Sequence, residues 1–224
     1  MDKKQTIVIT GASSGLGESL SKSFSKSYDV INISRTISSS VHNIITNFSD
    51  LKDLKQKLLI NNLNFELCIL NAGTMGEIGF ASEISDNDFL DSFNINVVAN
   101  KIIIDWSILN GCKYFIGISS GAANKNYDGW LNYCVSKSAF RSMFLQYQKD
   151  LPKLRFKLIS PGILSTEMNK KIKAQDITLY PEMRKFHDTP AVSPYKASEL
   201  IYEKYHDYFK SEKLEIDLRD EAEW

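Results

Sequence analysis

The chain has 224 residues, of which 43% are hydrophobic, 24% charged and 11% aromatic, an ordinary globular composition. Lys and Arg total 27 and so do Asp and Glu, so the zero net charge excludes the simplest electrostatic route to nucleic acid. With 11 Gly and 5 Pro, the chain is neither collagen-like nor a low-complexity tail.

Thr6 to Thr10 (TIVIT) is a β-branched run and predicts a buried strand. A glycine turn follows, and then Leu16, Leu20 and Phe24 mark one face of a helix. Asp29 to Ser34 (DVINIS) predicts a second strand, and Ser49 or Asp50 caps a helix through Leu51, Leu54, Leu58 and Leu59. Leu67 to Leu70 is a further strand, ending at Asn71-Ala72-Gly73. Ser85 opens a helix, with an acidic residue three positions on, that runs to about Leu109 and stops at Asn110-Gly111. Tyr114 to Ile118 is a strand. Phe140, Met143, Phe144, Tyr147 and Leu151 form a helical stripe ended by Pro152. Phe156 to Ile159 is a strand stopped by Pro161-Gly162, Ser193-Pro194 opens a last helix, and Glu215 to Leu218 reads as an edge strand. Strands alternating with helices predict βαβ units and a parallel sheet covered on both faces. Binding sites in such sheets lie at the carboxyl ends of the strands, where strand order reverses.

Cys68, Cys112 and Cys134 are far apart and form no C-x-x-C pair; His42, His187 and His206 are equally scattered. This pattern predicts reduced thiols and no metal site. The start Met1-Asp2-Lys3-Lys4-Gln5 is charged, and the apolar run Ile7 to Ile9 is too short for a signal-peptide core. No stretch reaches the ~20 apolar residues of a membrane span. The expectation is a cytoplasmic protein that engages neither membrane nor nucleic acid.

Thr10-Gly11-Ala12-Ser13-Ser14-Gly15-Leu16-Gly17 joins the first strand to the first helix. Glycines let the backbone approach a ligand, and the helix N-terminus offers free N–H groups to a pyrophosphate. Spaced G-x-x-x-G-x-G, the turn resembles that of the single-domain short-chain dehydrogenase/reductase family. The resemblance covers nearly the whole chain and implies one Rossmann-type doubly wound domain over residues 1–224, with Gly11, Ser13, Ser14, Gly15, Leu16 and Gly17 at the cofactor. Asn71-Ala72-Gly73 fits the family's N-A-G, which borders the adenine side; Leu70 stands where relatives often have Asn. Tyr133 and Lys137 fit its Tyr and Lys, four apart and so on one helix face. The resemblance makes Tyr133 the general acid and implies that a nearby ammonium lowers the phenol's pKa from its usual value of about 10. Thirteen residues before Tyr133 stands Ser120, the implied substrate-orienting serine, with Ser119 as the competing position. Asn96 matches the family's relay Asn, with Asn94 as competitor. Pro161-Gly162-Ile163-Leu164-Ser165-Thr166 matches P-G-x-x-x-T beside the nicotinamide.

The second strand ends Ser34-Arg35 rather than in an acid. Arg35 can pair with a ribose 2′-phosphate and Ser34 can add a hydrogen bond, so NADP(H) is preferred over NAD(H). No second basic residue stands in the glycine turn. Asn47-Phe48 occupies the adenine-pocket position where relatives have Asp, and Asn47 can accept from the adenine amino group. Within the family, Gly129 to Cys134, Pro161 to Met168 and the C-terminal tail resemble sepiapterin reductase and the benzil-reductase-like carbonyl reductases. That likeness implies Ser120, Trp130, Met168 and Asp217 at the substrate, Asp217 as a pterin anchor. Residues 163–193 are expected to cover the site, with Asn169 to Thr189 polar and aperiodic. The expected activity is NADPH-dependent reduction of a ketone, diketone or pterin side-chain carbonyl. A secondary-alcohol or sugar dehydrogenase and a non-catalytic NADP-binding sensor are the alternatives. By family analogy the chain forms a homodimer or homotetramer through the helix after Tyr133 and the one carrying Ile102, Ile103, Ile104, Trp106 and Ile108.

Overall fold

The computed structural model describes residues 4–38 and 42–221; the charged Met1-Asp2-Lys3 start lies outside them. Seven parallel strands form one sheet in the order β3-β2-β1-β4-β5-β6-β7. They are β1 (Gln5–Thr10), β2 (Tyr28–Ser34), β3 (His42–Ile45), β4 (Leu67–Leu70), β5 (Tyr114–Ile118), β6 (Arg155–Ser160) and β7 (Glu215–Asp217). β3 carries no clear alternation, and it is an edge strand paired only with β2. The helices are α1 (Gly15–Phe24), α2 (Leu51–Leu59), α3 (Asp86–Phe93), α4 (Ala99–Leu109), α5 (Leu131–Asp150), α6 (Glu167–Lys173), α7 (Arg184–Asp188) and α8 (Pro194–Lys210). Strand order reverses between β1 and β4, so a crevice opens at their carboxyl ends.

Alternate strand residues point to opposite faces, which explains the two cores. On one face Val8, Cys68, Leu70, Phe115 and Phe156 meet Leu54, Leu58, Ile103, Trp106, Phe140 and Phe144 from α2, α4 and α5. On the other, Ile7, Ile9, Ile69, Ile116 and Ile159 meet Leu20, Phe24, Ala197 and Ile201 from α1 and α8. Each such buried side chain contributes about 1.5–3 kcal/mol of transfer free energy. Ile103, Ile104 and Trp106 of α4 are thus spent on this chain's own core; Ile102 and Ile108 are only partly buried. Among the described residues, no helix is long and apolar enough to cross a membrane.

The structure decides one open alternative and changes two expectations. Asp50, not Ser49, caps α2, accepting from the Lys52 and Asp53 amides at 3.1 and 2.9 Å. Ser85 caps α3 through the Asp88 amide, but Asp88 does not reach back to complete a capping box. Its carboxylate is turned to the Glu77 amide (2.8 Å) and to the buried Asn132 amide. The helix from Ser85 to Leu109 is also not uniform: Asn94–Val98 forms a π-helical turn between α3 and α4. The wide turn upsets regular carbonyl pairing, and Asn100 Nδ2 binds Asn96 O at 2.9 Å and Ile95 O at 3.3 Å.

Candidate active site

The glycine turn is held from two sides. Thr10 Oγ1 accepts from the Asn71 and Ala72 amides at 3.0 and 2.9 Å, and Asn71 Nδ2 donates to Thr10 O at 3.0 Å. From β2, Asn32 Oδ1 accepts from the Ala12 amide at 3.0 Å, and its Nδ2 donates to Ser34 Oγ, Thr36 O and Asn43 Oδ1. Asn32 is fully buried. Nothing singled it out in the sequence, although one polar residue inside DVINIS was the available signal. Gly17 packs where any Cβ would strike Gly11 O, so the helix can approach the turn only with glycine there. Ser14 is the N-cap of α1 yet makes no side-chain cap bond, whereas the caps of α2, α3, α6 and α8 all do. The first-turn N–H groups of α1 are therefore not taken by their cap. Thr166, the N-cap of α6, lies across the groove, its Cγ2 3.5 Å from where a Cβ on Gly15 would stand. A glycine cradle with unclaimed helix donors fits the pyrophosphate of a dinucleotide.

The proposed catalytic side chains converge beside this cradle. Tyr133 and Lys137 lie one turn apart on α5, both buried. Lys137 Nζ donates to Ile118 O, the last residue of β5, at 2.8 Å, and lies 5.7 Å from the Tyr133 ring centroid. Ser120 follows β5, and its hydroxyl draws the Tyr133 phenol's pKa down. Burial outweighs that pull and raises Tyr133 to about 12. The lowering expected from the ammonium is not seen: in this chain's own environment, desolvation of the phenolate dominates and keeps the proton on. Burial also lowers Lys137 to about 8, because the ammonium has lost water and gained one carbonyl. Gly73 separates Asn96 from Lys137: a Cβ there would stand 3.2 Å from Asn96 Oδ1 and 3.8 Å from Lys137 Nζ. Asn96, in the π turn, accepts from the Thr74 amide and donates to Thr74 O and Ser136 Oγ, each at 2.8 Å. Ser136 in turn donates to Tyr133 O at 3.1 Å. Asn94 is half-buried and Ser119 is buried, with its amide donating to Ile159 O in the sheet.

The remaining candidates divide. Arg35 is exposed at the carboxyl end of β2. Ser34 is buried, and its hydroxyl donates to Thr36 O at 2.6 Å. Asn47 is exposed, its Oδ1 accepting from the Ser49 amide, while Phe48 is buried in the α2 core. Trp130 packs against Tyr133, Tyr127 and Phe186; Ile163 and Met168 border the same cluster with Tyr180 and Met183. The stretch expected to be aperiodic folds instead into α6, a 3-10 turn at Pro181–Met183 and α7. Its Ile172, Tyr180, Met183 and Phe186 join the Trp130–Tyr133 cluster, spacings too short for a sequence period to register. Asp217 has both carboxylate oxygens on Arg219, at the Nε (2.8 Å) and Nη2 donors.

The profile described as short chain dehydrogenase matches residues 5–177. A benzil reductase ((S)-benzoin forming) of Bacillus subtilis is 28% identical over 207 residues, covering 81% of this chain and 85% of that one. A 3-oxoacyl-[acyl-carrier-protein] reductase of Rickettsia prowazekii is 27% identical, covering 75% and 76%. A short chain dehydrogenase of Burkholderia cenocepacia, solved in complex with NADP, superposes with a TM-score of 0.76 at 16% identity, covering 96% and 88%. The chain belongs to the short chain dehydrogenase family and is an NAD(P)-dependent oxidoreductase.

Proposed function

We propose that the chain is an NADPH-dependent reductase of ketones and vicinal dicarbonyls, with Tyr133 as general acid. The observation that carries the reading is the Ser120–Tyr133–Lys137 group at the crevice, with Tyr133 and Lys137 buried and the phenol held protonated. A bound nicotinamide dinucleotide supplies the hydride. Ser120 holds the substrate oxygen, and Tyr133 gives it a proton, so the ketone gains one hydride and one proton and leaves as the alcohol. Lys137, cationic below about 8, stabilises the phenolate left behind. Asn96 and Ser136 fix the α5 turn on which Tyr133 stands. Gly11, Ser13, Ser14, Gly15, Leu16 and Gly17 receive the pyrophosphate, Asn71 to Gly73 and Asn47 the adenosine side, and Pro161 to Thr166 the nicotinamide side. Arg35 pairs with the 2′-phosphate; it is the feature favouring NADPH.

Likeness to the benzil reductases supports a dicarbonyl substrate. The engagement of Asp217 by Arg219 counts against a pterin anchored there. Residues 163–193 cover the substrate, with Met168 and Trp130 in the wall, and the chain works in the cytoplasm as a homodimer or homotetramer through α4 and α5. The test is oxidation of NADPH and NADH by purified protein against benzil, phenylpropanedione and sepiapterin. Diketone turnover with NADPH is expected. Bound NADPH with no turnover of any of the three would overturn the reading.

A further inference from the structure

Arg219 is a cation that the structure brings to the nicotinamide-side turn without any motif announcing it. β7 runs parallel to β6, with Ser160 opposite Asp217. The chain leaving β7 therefore passes beside Pro161-Gly162 at the carboxyl edge of the sheet. There the Arg219 stem lies over Gly162: a Cβ on that glycine would stand 3.4 Å from Arg219 Cγ and 3.6 Å from Cδ. Gly162 has φ +79°, so an L side chain is disfavoured there on conformational grounds too.

The guanidinium is oriented but not consumed. A guanidinium has five N–H donors, and Asp217 engages it through Nε and Nη2. Both Nη1 donors are outside that pair. Arg219's side chain keeps 55% of its exposure while Asp217's keeps 27%, so the carboxylate is the more enclosed partner and the cation the more open one. Tyr127 stands on the catalytic side of this edge. Its hydroxyl lies 3.4 Å from where a Cβ on Gly121 would stand, one residue after Ser120. Its ring packs on Trp130 with centroids 4.8 Å apart, and Trp130 packs on Tyr133. Ser120 follows β5, Pro161-Gly162 follows β6 and Arg219 follows β7, three neighbouring strands, so Ser120 and Arg219 stand at the same carboxyl edge of the sheet on either side of that turn.

We propose that Arg219, oriented by Asp217 and laid over Gly162, is a carboxylate-binding subsite, and that the carbonyl substrate is a 2-oxo acid. This rests on the reductase reading. A 2-oxo acid is a vicinal dicarbonyl whose second carbonyl carbon carries the charge. Its ketone oxygen goes to Ser120 and Tyr133 and its carboxylate to the free edge of the guanidinium, a planar fork suited to two carboxylate oxygens.

The experiment compares benzoylformate with its methyl ester, which differ in the charge. In Arg219→Met the ratio of kcat/KM for the acid to that for the ester falls ~10-fold or more, the loss expected for a charge-assisted pair. Arg219→Lys restores part of the ratio, keeping charge without the fork. A ratio unchanged within about twofold, as a purely local Asp217–Arg219 pair predicts, overturns the subsite. Calorimetric titration of benzoylformate into the protein saturated with NADP+ reads the subsite without chemistry. Binding weakened ~10-fold by Arg219→Met supports it, and equal or absent binding in both proteins overturns it. If neither compound is turned over by the wild type, the reductase reading fails while the titration still decides the subsite.

Discussion

Replacing Lys137 by Met should stabilise the chain while removing its activity. Lys137 is held at about 8 against the ordinary 10.5 of a lysine, with burial as the cause. At about 1.4 kcal/mol per pH unit, that gap makes the buried ammonium cost about 3 kcal/mol at neutral pH. Met fills much of the same space without charge, but it orphans Ile118 O, whose bond to Nζ is 2.8 Å, at a cost of about 1 kcal/mol. The net expectation is a gain of about 2 kcal/mol at pH 7, or roughly 4–8 °C in Tm for a chain of this size. The sign reverses with the proton. Below pH 8 the lysine is charged in both the folded and the unfolded chain, and the burial cost is present in full. Between about 8 and 10.5 the unfolded chain binds more protons than the folded one, so wild-type stability rises with pH. The advantage of Lys137→Met should therefore shrink between pH 7 and pH 10. Urea unfolding of both proteins at the two pH values, followed by tryptophan fluorescence, measures the difference. A variant less stable at pH 7, or one whose advantage does not shrink at pH 10, would refute the desolvation argument.

Tyr133→Phe should lower kcat with phenylpropanedione by at least ~100-fold, the usual loss for a removed general acid, with NADPH binding by fluorescence titration retained; near-normal turnover would remove Tyr133 from the acid role. Arg35→Asp should shift the NADPH-to-NADH ratio of kcat/KM towards NADH by ~10-fold or more, since a carboxylate repels a 2′-phosphate and accepts from a 2′-hydroxyl. An unchanged ratio would mean that Arg35 is only solvated.

Much of the fold and the site was legible because it is written locally. The β-branched run at Thr6 to Thr10, the glycine turn and the apolar face at Leu16, Leu20 and Phe24 stand within one short stretch, so order and spacing identify a strand, a cradle and a helix together. Tyr133 and Lys137 are four apart, and helical periodicity alone puts them on one face. β3 was less legible because an edge strand with only Ile44 buried carries little alternation. The short helices packed on the Trp130–Tyr133 cluster were missed because a helix of one or two turns shows no period. The π turn at Asn94–Val98 was missed because its residues continue an ordinary helical pattern, and only packing and the Asn100 side chain reveal the extra residue.

By itself, then, the sequence determined which residue types stand at the crevice and in what order along the chain: the glycines, Ser120, Tyr133, Lys137 and the Pro161-Gly162 turn. Only the tertiary structure decided what surrounds them. Lys137 finds Ile118 O nineteen residues away, and Asn32 reaches the glycine turn from the neighbouring strand. Arg219 comes over Gly162 through a strand pairing that closes the sheet. The chemistry follows those long-range contacts. A phenol of ordinary pKa becomes a group held near 12, and an ammonium falls to about 8, because water is excluded by side chains from several elements at once. That exclusion is a property of the packed interior, and no local spacing encodes it.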